Sequence, residues 1–325
     1  MTCSTLEASF HAASALWYQL IEQRDQGSVF LTPQWQETWW DHYGGDSKEL
    51  LLLAVGDESA PLGLAPMVRE GDTLSFLGST DLFDYHDFIL GHVLPADFYP
   101  TLASCLSKQP WQILYLESIP EDSTALQHLP DRFRADGYTV VIEQEDVVPG
   151  LPLPASWDHF LESLRKKDRH ELRRKLRRLG DAGVYRLVHA TPQSLDEDLD
   201  LFLDLMGESR DEKRDFLVPH REAFLRAVAS CMQTAGYLRL SFLELDGQRV
   251  AGVICFDYAG NRFLYNSGYR VSFRQYSVGL MLKALCIQEA IELGLTYFDF
   301  LRGAEPYKYH LGAQNRSLYR MVVRR

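Results

Sequence analysis

Apolar residues first recur at helical spacing. Leu16, Trp17 and Leu20 fall on one stripe of a helix expected from about Leu6 to Arg24, and Thr32-Pro33 opens a second whose face carries Trp35, Trp39 and Trp40. The period then shortens. Leu50 to Val55, Leu62 to Val68 and Thr73 to Leu77 are apolar runs of strand length separated by Gly, Pro or Asp turn signals. A helix from Pro95 to Ser107, a strand from Trp111 to Glu117, a helix from Ser123 to Asp136 and a strand from Tyr138 to Glu143 complete this half.

Pro149, Pro152 and Pro154 each remove a backbone donor and restrain the preceding residue, so they are expected to interrupt pairing and divide the chain into residues 1–150 and 151–325. Ser156 can cap the next helix, whose apolar edge is Leu164, Leu172, Leu176 and Leu179 and whose end is Gly180 or Gly183. Helices from Leu195 to Met206 and Pro219 to Thr234 precede strands at Tyr237 to Leu245, Arg249 to Tyr258 and Arg262 to Gly268. A loop rich in Arg and Tyr leads to a helix from Val278 to Leu293, a strand from Thr296 to Leu301, a short helix near Glu305 to Leu311 and a last strand near Leu318 to Val323. Both halves therefore read as helices, a three-strand meander, one main helix and one more strand. The repetition is one of architecture, since no residue-level repeat links them.

Composition changes little in this picture. With 325 residues, 46% hydrophobic and 24% charged, the chain has enough apolar surface for packed domains, which excludes disorder, collagen and a disulfide miniprotein. Charge changes more. Lys plus Arg number 33 against 45 Asp plus Glu, a net of −12 that argues against general affinity for nucleic acid or an anionic membrane. Nine basic and two acidic residues lie between Arg165 and Arg178, so the rest of the chain carries 24 positive and 43 negative charges, a net of −19. One cationic helix is set in an acidic body.

The five cysteines form no CxxC pair, and three of them fall in apolar patterns where a thiol behaves as a small hydrophobe, which fits a reducing cytoplasm. Residues 1–10 lack the basic and apolar regions of a signal peptide, and no run approaches the roughly 20 apolar residues of a membrane span. A cytoplasmic protein is expected.

The sharpest local feature is Arg274-Gln275-Tyr276-Ser277-Val278-Gly279-Leu280, where a strand and loop lead into the start of a long apolar helix. Unpaired N–H groups and a partial positive charge at a helix start favour an anion, and the small side chains of Ser277 and Gly279 let a pyrophosphate approach the backbone. Plain capping by Ser277, with Gly279 for packing, accounts for the same residues. In its strand, loop, helix, strand context this segment resembles the R/Q-x-x-G-x-G/A acyl-CoA loop of the GNAT acyltransferase superfamily. Arg274 takes its first position and Gly279 its last; Ser277 stands where the family's first Gly lies, and its Cβ narrows the phosphate approach.

The wider stretch Tyr265-Asn266-Ser267-Gly268-Tyr269, Phe298-Asp299-Phe300-Leu301-Arg302-Gly303-Ala304-Glu305 and Tyr307-Lys308-Tyr309 looks like the acetyltransferase domain of proteins associated with cellulose or exopolysaccharide biosynthesis. That GNAT branch is related to the Fem peptidoglycan aminoacyltransferases. The resemblance covers most of Leu161 to Ala313 and, weakly, the first half. It implies an α/β fold of the layered α+β kind: two tandem GNAT-like domains, each a mixed, mostly antiparallel sheet flanked by helices. It also implies acetyl-CoA or another acyl-CoA as donor, with strands at Phe263 to Ser267 and Tyr297 to Leu301 splaying around the pantetheine arm.

An acid for the leaving thiolate and a base for the attacking amine give about 10²–10⁴-fold each when positioned. The resemblance places the acid at Tyr307 or Tyr309; both also suit aromatic packing. Tyr307-Lys308 with Leu311-Gly312 resembles the F-K-x-x-F-G stretch of Fem transferases, in which the lysine faces the transfer centre and could steady an oxyanion; a surface pair with Glu305 is the alternative. Asp299, alternating with Phe298 and Phe300, must be hydrogen-bonded, paired with Arg302, or act at the site as base or anchor. Glu244 is a weaker base candidate.

In the first half Asp84-Tyr85-His86-Asp87 sets an imidazole between carboxylates, which could anchor a polar acceptor or form an ordinary hydrogen-bonded loop; no second ligand pair nearby suggests a metal. No counterpart of the Ser277/Gly279 loop precedes the Pro95 helix. One donor site is therefore expected, in the second half, with residues 1–150 degenerate and shaping the acceptor cleft. The basic helix is either a solvated surface helix docked by its leucines, an anion site for a phosphorylated acceptor or the CoA phosphates, or a transfer-RNA contact, against which the acidic remainder argues. The reading this supports is N-acyl transfer from acyl-CoA to a small-molecule amine such as an amino sugar or amino acid, in surface polysaccharide biosynthesis. A Fem-like aminoacyltransferase using charged transfer RNA and a catalytically inactive GNAT scaffold are its alternatives.

Overall fold

Side-chain caps fix several helix starts: Thr32 Oγ1 accepts from Trp35 N–H at 3.4 Å, Ser123 Oγ from Ala125 N–H at 3.1 Å, and Ser156 Oγ from His159 N–H at 3.3 Å. The computed structural model describes residues 3–5, 9–23, 27–57 and 60–325. It divides into two units, Met1–Val147 with Arg316–Arg325, and Val148–Asn315.

Unit 1 holds β1 (Cys3–Thr5), α1 (Phe10–Glu22), α2 (Pro33–Tyr43), β2 (Lys48–Asp57), β3 (Ala60–Glu70), β4 (Thr73–Phe76), β5 (Ile89–Leu90), α3 (Pro95–Lys108), β6 (Ile113–Pro120), α4 (Thr124–Ala135) and the larger part of β7 (Thr139–Pro152). The ends of the expected first helix, Leu6 and Arg24, lie outside the described residues. Unit 2 holds α5 (Trp157–Ser163), α6 (Lys166–Ala182), β8 (Tyr185–His189), α7 (Leu195–Ser209), α8 (Asp211–Phe216), α9 (Pro219–Thr234), β9 (Leu238–Leu245), β10 (Gln248–Tyr258), β11 (Asn261–Tyr269), α10 (Val278–Glu292), β12 (Tyr297–Asp299) and α11 (Pro306–His310). The chain then enters β13 (Gln314–Arg324), which from Arg316 onward belongs to unit 1.

The two units share one plan. In unit 1 the antiparallel meander β2-β3-β4 is followed by α3 and then by β6, which pairs parallel to β4; in unit 2 β9-β10-β11 is followed by α10 and then by β12, parallel to β11. Each sheet is thus mixed and mostly antiparallel, with helices flanking it. The strand completing each sheet comes from the other half of the sequence. β13 pairs antiparallel with β6 and sends Met321 and Val323 into the unit 1 core, whereas Gly150 to Pro152 of β7 pair with β12 and Leu151 joins the unit 2 core.

Two expectations change here. The prolines do not end β7, which runs through Pro149 and Pro152: a proline forfeits its N–H but keeps its carbonyl, and Pro149 O accepts from Phe300 N–H at 3.0 Å. The division accordingly falls at Val147/Val148, and the last ten residues do not stay with the second half. The basic helix is also not continuous with the segment Ser156 caps. Leu164 and Arg165 take extended backbone angles between α5 and α6, after which Leu172 and Leu179 bury the apolar edge of α6.

Cys231, Cys255 and Cys286 carry free thiols, the last two of them buried. Among the described residues no helix is long and apolar enough to cross a membrane.

Candidate functional site

In unit 2, α10 begins from a tight 3-10 turn, Val271–Tyr276, through Ser277, whose φ of 56° is left-handed. That conformation costs a non-glycine residue about 1–2 kcal/mol and is the one a glycine would take freely. Ser277 O accepts from Leu280 and Met281 N–H at 2.9 and 3.0 Å, so the N–H groups of Val278 and Gly279 have no intrahelical acceptor. The hydroxyl of Ser277 does not cap the helix; its Oγ instead accepts from Lys175 Nζ of α6 at 3.2 Å. The cationic helix therefore stands beside the loop. Arg274 and Gln275 are exposed, Val278 is buried, and Tyr276 and Leu280 pack on the unit 2 core. Gly279 has a packing reason as well, because a Cβ there would meet the Tyr269 ring at 3.0 Å.

The strands next to this loop part early. β11 pairs with β12 only from Asn261 to Phe263, and a register shift opposite Ile254/Cys255 leaves Tyr265 as an extra residue. Beyond that point Lys213 Nζ of α8 donates to Asn266 Oδ1 at 2.8 Å and to the carbonyl of Ser267, while Asn266 Oδ1 also accepts from Ser267 N–H at 2.8 Å. α7 backs this segment: a Cβ on Gly268 would lie 2.2 Å from Met206 N, so only glycine admits the helix so close.

After β12 the chain makes a turn held by buried charge. Asp299, 1% exposed, accepts from the N–H of Leu301, whose φ is 58°. Lys308, also 1% exposed, donates to the carbonyls of Leu301, Arg302 and Gly303 at 2.9, 2.8 and 2.9 Å and pairs with Glu305 at 2.9 Å. Lys308 is thus no surface residue, and its three protons are committed to the turn. Burial works against ionised Glu305, yet the Lys308 bond and charge hold its carboxyl below the usual range. Arg302 is half-buried at the same turn.

Tyr307 lies against Phe300, with ring centroids 6.1 Å apart, and Lys283 Nζ of α10 sits 4.9 Å from its ring centre. Tyr309 turns the other way and donates to Asn315 Oδ1 at 2.7 Å. Burial first, and then the Glu305 carboxylate, push the Tyr307 phenol well above its ordinary value, so it keeps its proton. Burial also pulls Lys213 down to about 7, helped by Lys283 and Arg210, and Lys283 down to about 8.

These three cations escaped the sequence reading. α8 was not expected at all, and Lys213 lies in a mixed-charge stretch that gives no signal; Lys283, alone among apolar neighbours in α10, was the one legible clue.

The remaining candidates take structural positions. Glu244 pairs with Arg186 at 2.7 Å. In unit 1 His86, 3% exposed, stacks between Phe76 and Phe83 at 5.6 and 5.0 Å, and Tyr85 OH accepts from Arg316 at 3.0 Å. Asp87 Oδ1 accepts from Phe88 N–H and Ser123 Oγ at 2.8 and 2.9 Å, and Asp84 is half-buried in the same loop.

Residues 166–309 match the model of the acetyltransferase (GNAT) domain. No curated protein matches the chain. Among solved structures, FemX superposes with a TM-score of 0.69 at 12% identity, over 98% of this chain and 97% of FemX. L-PGS from Bacillus licheniformis gives 0.54 at 13% over 90% and 91%, and a tandem GNAT protein from the clavulanic acid biosynthesis pathway gives 0.50 at 13% over 98% and 97%. At these identities the likeness is one of fold: a tandem of GNAT-like domains whose second member carries the matched acetyltransferase segment.

Proposed function

We propose that unit 2 transfers an acyl group, an acetyl in the simplest case, from acyl-CoA to the amine of a small molecule. The observation that carries this reading is the corner at the start of α10: two N–H groups free of intrahelical acceptors, a small left-handed residue, and a lysine of the cationic helix bonded to that residue. Such a corner suits a pyrophosphate, because helix N–H groups and an ammonium both favour dense negative charge. The acyl arm would follow the edge of β11 past Phe263, where pairing with β12 stops.

In the transfer the neutral amine nitrogen attacks the thioester carbonyl, a C–N bond forms, the C–S bond breaks, the nitrogen gives up one proton to solvent, and the departing sulfur takes one. Tyr307 is the candidate to supply it, its protonated phenol lying against Phe300 with the Lys283 ammonium over its ring, and it regains its proton from solvent. Asp299 and Lys308 hold the turn that precedes Tyr307 and act through it as positioning residues. A role in surface polysaccharide biosynthesis remains part of the proposal.

Calorimetric titration with acetyl-CoA and with free CoA tests this. Binding of both is expected, and Lys175→Met, which removes the cation while leaving the loop in place, should weaken both about tenfold, in line with one lost charge-assisted bond. Absence of binding by the wild type would overturn the reading. The likeness of fold to FemX and the cationic α6 favour a second donor, charged transfer RNA, as the related Fem aminoacyltransferases imply. Filter binding of aminoacyl transfer RNA, with no response to CoA, would select it.

A further inference from the structure

Burying a cation is costly unless it is paired, and in unit 2 the buried Lys283 and the half-buried Lys213 make no ion pair of their own with a carboxylate among the described residues. Lys213 and Lys283 are within electrostatic reach of each other and of the exposed Arg210, and a carboxylate near all three, Glu305, is already bonded to Lys308. The other groups around them are the Tyr307 phenol and, beside Lys283, the thiols of Cys255 and Cys286. Neither ammonium has its protons fully used. Lys213 donates two hydrogen bonds, to Asn266 and Ser267, and Lys283 donates one, to Gly279 O at 3.1 Å, with the Tyr307 ring on another side. An ammonium has three donors, so each retains at least one for a ligand.

We propose that Lys213 and Lys283 form the seat of a carboxylate on the amine acceptor, so that the acceptor is an amino acid or an equally acidic amine. This rests on the acyl-transfer reading and narrows its substrate. The phosphates of the donor have their own corner at Ser277, with Lys175 as its cation. Lys283 stands one helical turn further along α10, against Tyr307, where the reacting amine is brought. In an α-amino acid the carboxylate is two bonds from the nitrogen, so a carboxylate held by the lysines leaves the amine at the transfer centre. An amine without an acid group would instead bring a fourth positive charge into the cluster and be repelled when protonated.

The test reads the lysines themselves. In full-length protein carrying ¹³C at lysine Cε, the resonances of Lys213 and Lys283 are assigned by Lys213→Met and Lys283→Met and followed through a pH titration. Without ligand their midpoints should fall near 7 and 8, below every exposed lysine. Saturating N-acetylglycine, which is a product bearing a carboxylate, should raise both by about one unit or more, a tenfold preference for the charged form, and N-acetylglycinamide should leave them in place. Unmoved midpoints with both N-acetylglycine and excess acetate would overturn the proposal. A rise with inorganic phosphate alone would also overturn it and give the cluster to the donor. Because the readout needs no turnover, it separates from the first reading: CoA binding without a carboxylate response sinks only the seat, and a carboxylate response without CoA binding sinks only the acyl-CoA donor.

Discussion

Replacing Lys308 with Met isolates what a buried ammonium does for the turn before Tyr307. The side chains have similar volume, so the cavity contribution is small. Three carbonyls, those of Leu301, Arg302 and Gly303, lose a charged donor, and Glu305 loses its counter-ion. Hydrogen bonds to a charged group contribute about 1.5–3 kcal/mol each, but recovering the desolvation of the ammonium offsets part of that sum, and breaking a buried pair costs about 3–5 kcal/mol in total. Glu305 is 42% exposed, so water replaces part of its lost partner, and a figure near the lower end, about 3 kcal/mol, is expected. Leu301 and Gly303, at φ 58° and 103°, have little reason to hold their conformation without the clamp.

The assay is hydrogen–deuterium exchange of the peptide spanning residues 299–312. A loss of about 3 kcal/mol corresponds to opening roughly 100-fold more often, with protection reduced to match. Lys308→Arg should not restore it, because a planar guanidinium cannot direct three protons at carbonyls converging on one point. Protection within about threefold of the wild type would refute the clamp and leave Lys308 free to act on substrate.

The other predictions concern the phenol, a buried network and a close contact. Tyr307→Phe should lower kcat about 100-fold in an acetyl-transfer assay with the Kd for acetyl-CoA unchanged, and full turnover would exclude the phenol as the acid. Glu289 bonds Arg262 at 2.5 Å and His189 Nε2 at 2.8 Å; burial opposes its charge, but these partners hold its carboxyl down at about 2, below the ordinary 4.5. A depressed carboxyl stabilises the fold above its unfolded value and loses that contribution as pH falls from about 4.5 towards 2, in total about 3 kcal/mol. Urea unfolding across that window should therefore show a flatter acid limb for Glu289→Gln than for the wild type, and parallel limbs would contradict the assignment. Gly268→Ala would set a Cβ 2.2 Å from Met206 N and 2.3 Å from Leu205 C, so unit 2 should lose more than about 3 kcal/mol in the same assay; a loss under about 1 kcal/mol would show that α7 can retreat.

The amino-acid sequence by itself determined most of the elements, their repeated order and the small residues at the start of α10. These are local matters: helical and strand periods, caps at Thr32, Ser123 and Ser156, and small residues at Ser277 and Gly279 act over a few residues. It also showed one cationic helix, though only the fold set Lys175 beside Ser277, 102 positions further along the chain. The exchange of β7 and β13 between the units was out of reach, since an apolar strand reads the same whichever sheet it completes. For Lys308 the sequence left open a lysine facing the transfer centre and a surface pair with Glu305; it is bonded to Glu305, but burial under a left-handed turn made it a clamp. Lys213 and Lys283, 70 positions apart, acquired their shared charge and lowered proton affinity only through packing, because desolvation and repulsion depend on distance in space rather than along the chain.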